Sequence, residues 1–154
     1  MSKHATVRRG AILSIIVTMM LTLVDFDVSG AEPALNYEFF KQRVEPVFLK
    51  KRVGHTRCYV CHSESTNAFR LEKIKPGSTF WTEEQSHRNF ENVSALVAPG
   101  DPATSRLLLH PLAPEGGGDA FHSGGRQFAT RSDPDWNMLA RWVNGATLAD
   151  ERPR

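Results

Sequence analysis

The residues with the clearest chemical potential form one string, Cys58-Tyr59-Val60-Cys61-His62, which holds both cysteines of the 154-residue chain. Two thiols three positions apart lie on the same side of a helical turn, where each can add to one vinyl group of a haem. The histidine that follows is then carried beneath the iron as its proximal ligand. The string therefore predicts one covalently attached haem c, with Cys58 and Cys61 as thioether anchors and His62 as an axial ligand.

Other uses of a cysteine pair fit this sequence less well. A thioredoxin-like dithiol needs a preceding strand in a βαβ unit, whereas a basic helix is predicted before Cys58. A zinc site needs more ligands than Cys58, Cys61 and His62, which are too close together to complete a tetrahedron. A disulfide between the two cysteines would close a very small loop and would stabilise the fold little. Haem attachment is therefore the favoured interpretation.

The second axial ligand is less sharply defined by the sequence. Methionine is a frequent axial ligand in cytochromes c, but Met138 is the only methionine beyond the first thirty residues. His122 lies in a glycine-rich loop at residues 115–125, and glycine lets the backbone approach a ligand closely. We predict His122 as the distal ligand, with His110 and Met138 as alternatives. Two histidine ligands would give a lower reduction potential than a histidine and a methionine.

These residues need a scaffold, and helix signals recur along the chain without any extended strand alternation. Apolar spacing predicts four helices, at 37–50, 83–96, 103–110 and 134–144. Each follows a start signal: Asn36, a Thr82/Gln85 capping box, Asp101-Pro102 and Asp133, in that order. A kink is predicted at Pro46 in the first helix. The residues expected to enclose the haem are large and apolar: Phe69, Leu71, Trp81, Phe90, Leu108, Phe121, Phe128 and Trp136. Arg126, or Arg70, is expected to pair with a haem propionate. The predicted fold class is all-α, with long loops around one covalently attached haem.

The N-terminal segment has the features of an export signal. A basic stretch at residues 3–9 precedes an uncharged, mostly apolar run at 11–24. That run is shorter than the roughly 20 residues that a membrane-spanning helix needs. Small residues suit cleavage after Ala31 or one residue earlier. We therefore predict a signal peptide at 1–31, a periplasmic or otherwise exported protein, and no integral membrane span after cleavage.

The composition excludes two broad classes of protein. With 40% hydrophobic and 23% charged residues, the chain has the balance of a folded globular protein, which excludes wholesale disorder. The formal net charge is only +2, and the basic residues are spread along the chain without a run of five. Binding to nucleic acid is therefore not predicted.

From Tyr37 to Ala146 the sequence resembles a class I cytochrome c domain, of the monohaem type found in planctomycete and acidobacterial secreted proteins. Three motifs carry the resemblance: the cysteine–histidine string, the stretch Pro99-Gly100-Asp101-Pro102-x-x-Ser105-x-Leu107-Leu108, and the closing Leu139-x-x-Trp142-Val143-x-Gly145-Ala146. In relatives, a methionine followed by prolines usually stands between the second and third motifs. Here Gly118-Asp119-Ala120-Phe121-His122 takes that place, which points again to His122.

The resemblance implies a monohaem cytochrome c domain at 32–154 that transfers electrons outside the cytoplasm. A haem with both axial positions filled by protein has no open site for a substrate, so it can only gain or lose an electron. We therefore predict an electron carrier, and not an enzyme, that exchanges single electrons with donor and acceptor proteins. The alternative is a haem sensor or a peroxidase-like protein with an open or displaceable distal position. In that case His122 or His110 would serve as a distal acid–base group.

Overall fold

A computed structural model describes residues 33–152, so the predicted signal peptide at 1–31 lies outside the described residues. α-Helices span Tyr37–Phe39 (α1), Glu45–Leu49 (α2), Cys58–His62 (α3), Glu83–Ser94 (α4), Arg106–Leu109 (α5) and Pro134–Val143 (α6). A π-helical turn, Phe40–Val44, joins α1 to α2, and short 3-10 helices span Pro114–Gly116 and Leu148–Glu151. Within 33–152 the only strand-like pairings are two isolated bridges. The predicted all-α class is confirmed, and no helix in the described range is long and apolar enough to cross a membrane.

The first predicted helix forms with a π-helical widening ahead of Pro46. Its start is confirmed, because the Asn36 side chain accepts a hydrogen bond of 2.8 Å from the Phe39 N–H. Proline has no N–H to donate to the carbonyl of Gln42, one helical turn earlier. That carbonyl accepts from the side chain of the neighbouring Arg43 instead, at 3.1 Å. The expected disturbance at Pro46 is therefore absorbed in the wider turn that precedes it.

The predicted caps of the two longest helices are confirmed, whereas the predicted start of α5 is wrong. Thr82 and Gln85 form the capping box of α4, and the Asp133 side chain accepts from two N–H groups at the start of α6. The Asp101 carboxylate instead closes a turn, in which it accepts from the backbone N–H groups of Ala103 and Thr104. The helix therefore begins only after Ser105 and not at residue 103.

The core is built mainly from the α1–α2 segment, α4 and α6, which meet through aromatic side chains. The Phe40 ring lies 5.1 Å from the Trp142 ring and 5.4 Å from the Phe90 ring, measured between centroids. Among the apolar residues predicted to enclose a haem, Leu71, Trp81, Leu108, Phe128 and Trp136 are buried, and Phe69 and Phe90 are partly buried. Phe121 is 75% exposed, so its predicted place in the core is wrong. It follows three glycines and lies in a loop that has little core contact.

Candidate functional site

The cysteine–histidine string forms a single helical turn at one wall of a cavity. In α3, Cys58 and His62 are four positions apart, so they share one face of the turn. Cys58 is half-buried, Cys61 is exposed, and both are free thiols. The turn is fixed to the rest of the fold by Tyr59, whose hydroxyl oxygen accepts a 3.0 Å hydrogen bond from the Ile74 N–H.

The Cys58 thiol lies in an apolar environment beside a buried arginine. Burial raises the pKa of Cys58, while the nearby positive charge of Arg52 acts in the opposite direction. The Arg52 side chain is only 10% exposed; it binds Asp135 at 2.7 Å and lies over the Phe128 ring at 4.8 Å. The thiol is therefore held neutral, and the arginine beside it is fixed by both a charge and an aromatic face.

The His62 ring is oriented by the segment that follows α3. Its Nδ1 lies 2.8 Å from the Phe69 carbonyl oxygen, and its own carbonyl accepts from the Leu71 N–H at 3.0 Å. Because a carbonyl oxygen can only accept, Nδ1 carries the hydrogen and Nε2 keeps the lone pair in the neutral ring. Burial lowers the pKa of His62, which favours that neutral form. This is the arrangement of a metal-ligating histidine whose second nitrogen is held by a backbone carbonyl.

His122 lies opposite His62 at a distance suited to a shared metal ion. The two ring centroids are 6.3 Å apart, with an angle of 20° between the ring planes. Two imidazoles that share one metal ion, with nitrogen–metal bonds of about 2.0–2.1 Å, have centroids roughly 6 Å apart. His122 Nδ1 lies 2.6 Å from the Gly125 carbonyl oxygen, so here too Nε2 keeps the lone pair. Gly125 has a φ of 80°, a left-handed conformation that favours glycine.

A third histidine, His110, lies beside His122 in the same cavity. The His110 ring meets the His122 ring edge-on, with centroids 5.0 Å apart and an angle of 84°. Its Nδ1 is 2.8 Å from Asp119 Oδ2, so a carboxylate orients this imidazole where backbone carbonyls orient the other two. His62, His110 and His122 all line the same cavity. The structure thus brings together the predicted proximal ligand and two of the three predicted distal candidates.

The cavity between these histidines has a volume of about 390 Å³, within the range of small-molecule and cofactor sites. Its apolar walls include Val47, Phe48, Phe69, Leu107, Phe128 and Leu139. The donor set and the largely apolar lining both suit the predicted haem. Two thiols lie on one wall, the His62 and His122 rings lie near each other with Nδ1 held by a backbone carbonyl in each, and apolar groups form most of the remaining surface.

Other predicted site residues lie outside the cavity. Met138 is partly buried against the core and is not part of the cavity lining. Arg126 pairs with Glu115 at 3.2 Å on the wall of a separate surface groove, and Arg70 is exposed and does not line the cavity. The structure therefore does not bring Met138, Arg126 or Arg70 to the three histidines.

Two arginines line the cavity that sequence reasoning did not select, Arg57 and Arg106. Neither forms an ion pair with another described residue of the range 33–152. A guanidinium group at this place suits a carboxylate of a bound cofactor. The sequence carries one usable signal for this role, because Arg106 is four positions before His110 and so shares its side of the helix.

Comparison with family models, with curated proteins and with solved structures gives no match to this chain. Within residues 33–152, no group of three or more His, Cys, Asp and Glu side chains could hold a metal ion by itself. A haem iron requires only two axial ligands from the protein, since the porphyrin supplies the other four nitrogens.

Proposed function

We propose that this chain is an exported c-type cytochrome that carries single electrons through one covalently bound haem. The observation that carries the proposal is the 6.3 Å separation of the His62 and His122 rings across an apolar cavity beside two free thiols. The proposed domain organisation is a signal peptide at 1–31 and a class I cytochrome c domain at 32–154. The proposed location is the periplasm or its equivalent, where redox proteins are the partners.

Each residue has a defined task in this proposal. Cys58 and Cys61 anchor the porphyrin through thioethers, His62 offers Nε2 as proximal ligand, and His122 offers Nε2 as distal ligand. Arg57 and Arg106 are placed to pair with the carboxylates. A haem c supplies a one-electron change at its iron. His62 and His122 would hold that iron, and the largely apolar walls of the cavity would limit the access of water to it. Two imidazole ligands favour a lower reduction potential than imidazole with thioether.

The second candidate function is a haem sensor or a peroxidase-like activity, and one contact favours it. His110 is hydrogen-bonded to Asp119 and stands edge-on to His122. If His122 leaves the iron, an imidazole held by a carboxylate remains beside the open position. Such a pair can accept and return a proton during reaction of a bound ligand.

The test is to export the full chain from a host with working c-type cytochrome maturation. The purified protein is expected to be heavier than its amino acids by one haem, and its reduced spectrum is expected not to change with carbon monoxide. A protein with only the mass of its amino acids overturns the proposal. A prompt spectral change with carbon monoxide supports the sensor or peroxidase-like function instead.

Replacing the distal histidine is expected to open the iron. A His122→Ala variant loses one of two axial nitrogens, so its iron should become high-spin or bind carbon monoxide, as measured by absorption spectroscopy. The matched control is His110→Ala, which removes a histidine of the same cavity and should leave the low-spin spectrum unchanged. The reverse pattern, with His122→Ala unchanged and His110→Ala opened, would assign the distal position to His110.

A further inference from the structure

Glu45 is a buried carboxyl group that the proposed haem site does not use. It is fully buried, and it is the only Asp, Glu, Lys or Arg residue in the buried class among residues 33–152. Its two oxygens accept hydrogen bonds from Ser86 Oγ at 2.8 Å and from Asn89 Nδ2 at 2.9 Å. No cationic side chain of residues 33–152 forms an ion pair with it. A carboxylate buried without a positive partner is energetically costly, so such a group is rare in a core unless it serves a purpose.

Glu45 is connected to the cavity through neighbouring backbone and side chains. Asn89, its hydrogen-bond partner, also accepts the Glu72 N–H at 2.8 Å. Glu72 is three positions after Phe69, whose carbonyl oxygen accepts the hydrogen bond from His62 Nδ1. On its own helix, Glu45 precedes Val47 and Phe48, which both line the cavity. The carboxyl group is therefore buried next to the chain segments that form this side of the cavity.

The groups that face Glu45 from neighbouring elements are mostly neutral. From α4 these are the Ser86 hydroxyl and the Asn89 amide. The charges that act on it are those of Lys41 and Glu83, which form an ion pair with each other at the surface. From α6, the neutral Trp142 ring packs against Phe40 of the π-helical turn. Few charged groups near Glu45 could therefore offset the effect that a change of charge in the cavity would have on its carboxyl group.

We propose that Glu45 is the proton-binding site linked to electron transfer in this protein; the inference rests on the proposed function. If a protein donor supplied one electron to a haem bound in this cavity, the positive charge of the site would fall by one, and the Glu45 carboxylate would take one proton from solvent to become a carboxylic acid. On oxidation by the acceptor protein, the electron and the proton both leave. The net charge of the interior is the same before and after the step.

The direction of this linkage follows from electrostatics. The oxidised site carries one more positive charge than the reduced site, and that charge favours a carboxylate in a low-dielectric interior. Reduction removes the charge and favours the protonated acid. Burial already raises the pKa of Glu45, although the hydrogen bonds from Asn89 and Ser86 oppose that effect. The transition is therefore expected above the ordinary glutamate range.

The test is the reduction potential of the haem-loaded full chain as a function of pH. In the wild type, the potential should fall with rising pH by up to about 59 mV per pH unit, the effect of a tenfold change in proton concentration on a one-electron couple. Glu45→Gln should remove this slope. Its amide oxygen can still accept from Asn89 Nδ2, and its NH2 group can donate to Ser86 Oγ, which then acts as the acceptor. The matched control, Glu91→Gln on the exposed side of α4, should keep the wild-type slope.

A second measurement does not depend on the variant folding. Infrared difference spectra of the wild type should gain a protonated-carboxyl band on reduction, and a spectrum without that band would overturn the inference. An unchanged slope in a folded Glu45→Gln protein would overturn it as well, while leaving the electron-carrier proposal intact. A chain that carries no haem after export would overturn both.

Discussion

A variant with Cys58→Ser and Cys61→Ser is expected to be exported without any covalently bound haem. Serine is close to cysteine in size, so the α3 turn should still form, but its hydroxyl does not replace the thiolate as a nucleophile for the vinyl groups. The measurement is the intact mass of the purified protein, together with haem staining after denaturation. We expect complete loss of the bound haem mass.

The single variants sharpen this prediction, because the two thiols differ in environment. Cys58 is half-buried beside Arg52, whereas Cys61 is exposed. Each single variant should retain one thioether, with the reduced spectrum shifted from that of the doubly attached haem. Val60→Ala serves as the control, since this exposed side chain lies within the same turn and its loss should leave the haem attached through both thioethers. Haem that stays bound to the double variant through denaturation would contradict thioether attachment.

The sequence predicted helix starts correctly where the side chain of the capping residue accepts hydrogen bonds from the first turn of the helix. Asn36, Thr82 and Asp133 each accept backbone N–H groups at the expected helix starts, because a cap depends on only three or four neighbouring residues. Asp101-Pro102 looks the same in sequence, but its carboxylate closes a separate turn. The competing turn chemistry of aspartate explains the error.

The sequence predicted the attachment turn with Cys58, Cys61 and His62. It predicted only part of what lies near that turn in space but far from it along the chain. The spacing of the cysteine–histidine string places Cys58 and His62 together without help from the rest of the chain. The approach of His122 to His62 depends on a folded loop, and the glycines around it were the sole local hint. Glu45 carried no such hint, since its partners Ser86 and Asn89 are 41 and 44 positions away. A buried carboxyl can be identified only when tertiary packing is known.

Arg126 is a site residue that the sequence predicted and that the structure places outside the cavity. The sequence places it between two predicted haem-contacting residues, yet its side chain pairs with Glu115 at the surface. Arg106 lines the cavity instead. It begins the short helix α5, which ends next to His110, and both residues line the cavity. Which of several arginines lines the cavity depends on how the chain folds around it, and composition and order along the chain do not fix that.

Replacing His62 by alanine is expected to abolish the low-spin spectrum while leaving the haem attached. The variant removes the only imidazole in the attachment turn α3. The iron should therefore lose one of its two axial ligands. The two thiols are untouched, so the variant should still be heavier than its own amino acids by one haem. The measurement combines absorption or magnetic circular dichroism spectra with intact mass, and the two readouts separate the ligand role from the anchoring role.

The control for this prediction is a histidine remote from the cavity. His87 stacks on Tyr37 with ring centroids 3.9 Å apart and pairs with Glu83 at the surface, so His87→Ala should keep the wild-type spectrum. A second variant, His62→Met, restores one axial ligand of a different type and is expected to raise the reduction potential relative to the wild type. A low-spin spectrum that survives His62→Ala would refute the proximal assignment, and with it the claim that the Phe69 carbonyl orients an iron ligand.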